Sequence, residues 1–298
     1  MGDQIVLRVN NLRKNYKQIQ ALKGVSFDVP QGCVFGILGP NGSGKTTLLG
    51  VILDILKDFS GSYSWEGFSS NAHARKKLGA FLETPNFYHY LSAEANLKIV
   101  AGIKELNHPD IPGVLKKVGL FDRRKSKFST YSLGMKQRLA IASSLLSNPD
   151  IIVLDEPTNG LDPEGIVEIR DLINTLREEG KTLIIASHLL DEVEKVCTHV
   201  AILKKGELLS SGPVQQILNQ DPTVIVSAKD NQVLADVLRR HPSIKSVSMV
   251  NSHVEASFTS YMDPADLNTY CFEQSITLTH LAVNTQRLES AFLELIKE

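Results

Sequence analysis

Gly39-Pro40-Asn41-Gly42-Ser43-Gly44-Lys45-Thr46-Thr47 stands between the apolar run Val34-Phe35-Gly36-Ile37-Leu38 and the helix-forming stretch Thr47-Leu48-Leu49-Gly50-Val51-Ile52-Leu53. Glycines at this spacing let backbone N–H groups turn inward around an anion. A helix that starts where the loop ends adds the positive end of its dipole at the same point. In such a loop Lys45 reaches the β- and γ-phosphates and the Thr46 hydroxyl ligates Mg²⁺. Gly39 to Thr47 therefore predict a site for a nucleoside triphosphate, in a chain of α/β class.

Further apolar runs at Ile5–Val9, Val25–Val29, Ile151–Leu154, Leu183–Ala186 and Val200–Leu203 predict strands, with helical patterns between several of them. That alternation implies a largely parallel sheet. About residues 85–147 differ, with helical Ala93–Ile103, Gly113–Val118 and Met135–Leu146 broken by turn signals at Asn107-His108-Pro109 and Asp110-Ile111-Pro112. They predict a helical insert. Gln220-Asp221-Pro222 predicts a linker that divides the chain into 1–220 and 221–298. Beyond it, Thr223–Ala228, Ile244–Val250, Val254–Thr259 and Ile276–Leu281 predict strands, and Gln232–Arg240 and Pro264–Gln274 helices. This strand–helix–strand–strand–helix–strand order is that of a ferredoxin-like α+β unit, followed by an amphipathic helix with Leu288, Phe292, Leu295 and Ile296 on one face.

Composition limits the function classes. Hydrophobic residues make up 42% of the 298, enough for a real core, and the net charge of −1 with no basic patch argues against nucleic acid as a partner. The first residues lack the pattern of a signal peptide, and no apolar run approaches the ~20 residues of a membrane span. Cys33, Cys197 and Cys271 lack metal-ligand spacing. The expectation is a soluble cytoplasmic chain.

Ile151-Ile152-Val153-Leu154-Asp155-Glu156-Pro157 is an apolar strand ending in two acids. At the carboxyl end of a core strand beside a phosphate loop, Asp155 is placed to hold Mg²⁺ and Glu156 to polarise the water that attacks the γ-phosphate. Tyr131-Ser132-Leu133-Gly134-Met135-Lys136-Gln137-Arg138-Leu139 comes just before this strand, Gly160-Leu161-Asp162 just after it, and Ser187-His188 ends the next one.

In that order the segments resemble the Walker A loop, signature helix, Walker B strand, D-loop and switch histidine of the ATP-binding cassette family, over about residues 1–220. The resemblance implies a P-loop ATPase core with a helical subdomain, ATP and Mg²⁺ as ligands, and a head-to-tail dimer with a copy of itself or a second cassette. Each γ-phosphate would then meet Lys45 of one subunit and Ser132 and Gly134 of the other, with Asp162 at the interface and His188 sensing the phosphate. By similarity Tyr16 stacks on adenine. Glu83 takes the place of the glutamine usual at the end of the strand following Walker A, near Mg²⁺ and the attacking water. Leu133 and Met135 replace a usual glycine and glutamine of the signature.

The Glu83 substitution, the signature and the final Leu288-Glu289-Ser290-Ala291-Phe292-Leu293-Glu294-Leu295 resemble the ATPase subunits of bacterial ABC-2-type exporters, such as those of bacitracin and lantibiotic self-protection or gliding motility. That branch implies an integral membrane permease as partner and a place at the inner face of the cell membrane. Phe87, Tyr88, Tyr90 and Leu91 would either form the groove that receives the permease or pack inside the insert. A soluble ATPase acting on ribosomes or DNA is the competing reading, and a ligand-sensing C-terminal unit a third.

Overall fold

Continuous apolar runs form strands buried on both faces, the signature of a parallel sheet covered by helices. The computed structural model describes residues 4–68, 77–82, 85–217, 223–250, 252–258 and 263–284. In chain order the first strands are β1 (Ile5–Tyr16), β2 (Ile19–Pro30), β3 (Val34–Leu38), β4 (Ser60–Trp65) and β5 (Gly79–Phe81). They are followed by β6 (Ile151–Asp155), β7 (Thr182–Ser187), β8 (His199–Lys204) and β9 (Glu207–Pro213). Every residue of β3, β6 and β7 is buried. One sheet has the order β5-β6-β7-β3-β8-β9, parallel except where β9 runs against β8. A second, antiparallel sheet has the order β2-β1-β4.

The sheet order places β3 beside β7, and β7 beside β6. The phosphate loop after β3, the acids after β6 and His188 after β7 therefore emerge at one sheet edge, outside the carboxyl ends of the strands, where open α/β sheets bind ligands. Helix α1 (Lys45–Ile52) begins at the loop itself. The insert supplies α2 (Ala93–Ile103), α3 (Ile111–Lys117) and α4 (Leu133–Leu145), close to the helical patterns read from sequence. After β6 come α5 (Pro163–Glu178) and α6 (Leu190–Val196).

Two expectations change. β1 and β2 are each 12 residues long, well beyond Ile5–Val9 and Val25–Val29. Their outer halves were hidden because register shifts at Val9/Leu12 and Leu12/Arg13, with Asn11 at φ 49°, break the period-2 alternation. β4 and β9 were not anticipated. β4 is Ser-Gly-Ser-Tyr-Ser-Trp, and only its buried Tyr63 and Trp65 mark the inward face. Trp65 Nε1 donates to the Ile52 carbonyl at 2.9 Å, tying this strand to the end of α1.

The described residues divide into two compact units, the first ending at Ile217. The second has four antiparallel strands, β10 (Thr223–Ala228), β11 (Ile244–Val250), β12 (His253–Phe258) and β13 (Leu278–Asn284), in the order β11-β12-β10-β13. Two helices, Asn231–Leu238 and Pro264–Glu273, complete the ferredoxin-like arrangement. Leu234, Leu238, Leu267 and Cys271 share its core with Val224, Val226 and Phe258. The last strand begins at Leu278 rather than Ile276, which is instead buried in the turn before it. The linker at 220–222, the final amphipathic helix and Glu83 lie outside the described residues.

Candidate functional site

The phosphate loop is shaped by glycines that no other residue replaces freely. Gly39, Gly42 and Gly44 all have positive φ, and a Cβ on Gly39 would stand 2.3 Å from the Leu203 carbonyl. At Gly44 a Cβ would stand 2.6 Å from the Ala21 carbonyl, whereas Gly42 faces open space. Ser43 N–H donates to the Pro40 carbonyl at 3.1 Å and closes the turn. Its buried hydroxyl has no hydrogen-bond partner among the described residues. Such an orphan is costly unless a ligand or water satisfies it.

Lys45 is 6% exposed and folds back over the loop, donating to the Gly39 carbonyl at 2.8 Å and reaching the Pro40 carbonyl at 3.4 Å. The same ammonium lies 3.3 Å from Glu156. Thr46 donates its hydroxyl to Asp155 Oδ2 at 3.0 Å, so two hard oxygen donors, one from helix α1 and one from strand β6, converge. That oxygen chemistry suits Mg²⁺, which is bound by one or two protein oxygens together with substrate phosphates.

Glu156 occupies the left-handed region at φ 49°, a strained conformation held by its N–H bond to the Ala186 carbonyl at 2.9 Å. The turn aims its carboxylate across the sheet edge, where Oε2 lies 2.8 Å from His188 Nδ1. A carboxylate only accepts, so this contact puts the His188 proton on Nδ1. Glu156 thus bridges Lys45 and His188, two residues that sequence alone treats separately.

A pocket of about 570 Å³ joins these groups and is lined by Tyr16, Asn41, Gly42, Lys45, Thr46, Thr47 and Glu156 among others. Tyr16 is 44% exposed, with the Lys14 ammonium 5.2 Å from its ring centroid. Lys14 is itself buried and donates to the Asp58 carbonyl at 2.6 Å. The structure brings Tyr16, the loop from Gly39 to Thr47, Asp155, Glu156 and His188 together at this edge.

It does not bring Ser132, Gly134 or Asp162 there. They line a different groove of about 440 Å³, with no lining residue in common with the first. Ser132 caps α4 by accepting from Met135 N–H at 3.3 Å, and Asp162 caps α5 by accepting from Gly165 N–H at 3.0 Å. A capping hydroxyl at a helix N-terminus is a ready anion site.

One positioning residue was missed. Asn96 on α2 is 1% exposed and accepts from Tyr88 N–H at 2.8 Å while donating to the Tyr88 and Ser92 carbonyls at 3.2 and 3.0 Å. It fixes the aromatic segment Phe87–Leu91, and its only signal in sequence was a polar residue on a helix's apolar face. Asn96→Ala strips several buried backbone groups of partners and is expected to cost about 2–3 kcal/mol. Denaturant unfolding of the full chain measures this as a lowered midpoint.

A family model described as ABC transporter matches residues 22–159. The chain is 38% identical to an uncharacterized ABC transporter ATP-binding protein, YhcH, of Bacillus subtilis (strain 168), over 98% of this chain and 96% of that protein. It is 34% identical to the bacitracin transport ATP-binding protein BcrA of Bacillus licheniformis, over 98% and 97% respectively. Among solved structures it resembles the dimeric post-hydrolysis state of the cassette MJ0796 bound to ADP and Pi, with TM-score 0.63, 28% identity and coverage of 70% of this chain and 98% of that one. With a phosphate loop, paired strand-end acids and a signature helix in a P-loop α/β core, this chain belongs to the ABC transporter family as an ATP-binding subunit that hydrolyses ATP to drive transport.

Proposed function

We propose that the chain powers a membrane exporter as one of two cassettes that close head to tail on two ATP molecules, with an integral membrane permease supplying the transport path. The observation that carries this reading is the separation of the two anion sites. The pocket at Lys45 and the groove at Ser132 and Gly134 lie apart within one chain, so only a second cassette could bring a signature to each phosphate. Residues 1–220 would form the catalytic domain and 221–298 an accessory unit.

ATP would enter with its base on Tyr16 and its phosphates in the loop, displacing Lys45 from the Gly39 and Pro40 carbonyls. Thr46 and Asp155 would hold Mg²⁺, with Glu83 near it by resemblance, and the ion would neutralise charge on the β- and γ-phosphates. Glu156, released from Lys45, would accept a proton from the attacking water. His188 keeps its Nδ1 proton on Glu156, so its Nε2 must be protonated to donate to the γ-phosphate. Contact with phosphate and with the general base would thus be linked through one imidazole. ATP binds the closed pair more tightly than the open one and shifts the population toward closure; loss of γ-phosphate reverses it.

The aromatic segment supports a permease on this chain. Tyr88 and Tyr90 are 52% and 68% exposed, and Phe87, Tyr88, Ile99 and Ile103 line a groove of about 360 Å³. Phe87 also packs edge-on against the buried Phe128 at 5.3 Å, so its replacement would disturb the insert as well. Tyr88→Glu is the cleaner test, with transport expected to fall at least about tenfold while ATPase activity of the isolated chain persists. Among the described residues no helix is long and apolar enough to cross a membrane. Relatives named for bacitracin transport and for lantibiotic transport support a transporter, and the direction of export is part of the proposal.

The deciding experiment is purification of the tagged chain from detergent-solubilised membranes of its own cells. The expected result is a polytopic membrane protein in stable ratio. Recovery of ribosomal partners alone would overturn the exporter reading.

A further inference from the structure

We propose that the basic run ahead of the signature helix is a contact surface for anionic lipid headgroups, placed beside the aromatic groove. The run is Phe121-Asp122-Arg123-Arg124-Lys125-Ser126-Lys127, flanked by Lys116 and Lys136. The expectation of no basic patch fails here, because a net charge averaged over the chain conceals a local excess. Neighbouring cations are spoken for: Lys98 pairs with Glu94, Lys117 with Glu179 and Arg138 with Glu168. Among the described residues, Arg123, Lys125 and Lys127 are exposed and make no ion pair with an acid. Asp122 is the acid within the run, and Glu94 faces Arg124 and Lys125, held below its usual range by its bond to Lys98 and by those two charges.

The run is tied by backbone hydrogen bonds to the segment that follows the groove-lining Phe87 and Tyr88. Glu94 N–H donates to the Arg124 carbonyl at 3.0 Å, Phe128 N–H to the Leu91 carbonyl at 2.9 Å and Ser129 N–H to the His89 carbonyl at 3.0 Å. The Tyr131 hydroxyl holds the Arg123 carbonyl at 2.7 Å. Cations and exposed tyrosines thus lie on two segments held side by side by backbone hydrogen bonds.

Three observations favour a lipid surface over a discrete ligand or nucleic acid. The cations spread along the loop rather than converging on a cavity, which suits a smeared negative surface. Phe121 is covered by Arg124 at 4.0 Å and Lys116 at 5.0 Å, and the buried Phe128 by Lys136 at 5.5 Å, so neither ring is offered to stacking bases. Tyr90, 68% exposed and outside the groove lining, has the amphipathic ring that settles at headgroup depth. The proposal rests on the exporter reading only for the side that faces the membrane.

The test uses the full chain with vesicles of phosphatidylcholine alone or mixed with phosphatidylglycerol, in co-sedimentation at low and high salt. Each cation at an anionic surface is worth about a fivefold change in partitioning. The variant carrying Arg123→Gln, Lys125→Gln and Lys127→Gln is therefore expected to bind the mixed vesicles roughly a hundredfold more weakly, with ATP turnover unchanged. The parent chain should bind mixed vesicles, leave neutral ones and release in high salt. Absent vesicle binding, equal binding to neutral vesicles, undiminished binding by the variant, or a charge-dependent loss seen only with single-stranded RNA would each overturn the proposal. None of these would touch the permease reading, which stands or falls on co-purification.

Discussion

Glu156→Gln is expected to lower ATP turnover by about a hundredfold or more while ATP affinity is kept. The amide preserves the shape of the side chain, and its oxygen can still accept from His188 Nδ1, now 2.8 Å from Oε2. It cannot take a proton from water at neutral pH, which is the function assigned to the carboxylate. It also no longer holds Lys45 by charge at 3.3 Å. Affinity should therefore stay level or rise slightly, a pattern that separates loss of chemistry from loss of fold. Single-turnover hydrolysis and equilibrium binding of a fluorescent ATP analogue, measured on the same preparation, check both halves.

Lys45→Ala should act in the opposite sense, weakening ATP binding by about 3 kcal/mol, or roughly a hundredfold. The lost ammonium would have made charge-assisted bonds to phosphate, and its removal leaves Glu156 as unbalanced negative charge beside the triphosphate. Stability is also expected to fall, because the buried Gly39 carbonyl loses its donor, although Pro40 is exposed. Calorimetric titration with ATP measures the affinity, and thermal unfolding without nucleotide gives the control.

What was legible in the sequence was what is local. The phosphate loop, the apolar strand ending in Asp155 and Glu156, and Ser187-His188 each carry their signal within a few residues. Strands β10 and β12 of the C-terminal unit are legible because their alternation survives. The outer halves of β1 and β2 were not legible, because bulges erase the alternation on which strand reading depends. β4 escaped because serines fill its outward positions and Gly61 adds no apolar side chain to the face of Tyr63 and Trp65. Gly160-Leu161-Asp162 reads as a D-loop, and the structure also uses Asp162 as the cap of α5. The bridge from Lys45 through Glu156 to His188 spans three strands. Its members are adjacent only because β3, β7 and β6 are neighbours in the sheet.

The central claim is that ATP joins the Lys45 pocket of one chain to the Ser132 groove of another. Sedimentation velocity of the Glu156→Gln variant with ATP and Mg²⁺, with and without Ser132→Arg, tests it most directly. The expected result is an ATP-dependent dimer for the single variant and a monomer that still binds ATP for the double one, since Ser132 lies outside the chain's own phosphate pocket. Equal dimerisation of both variants, or a single variant that binds ATP and stays monomeric, would contradict the account.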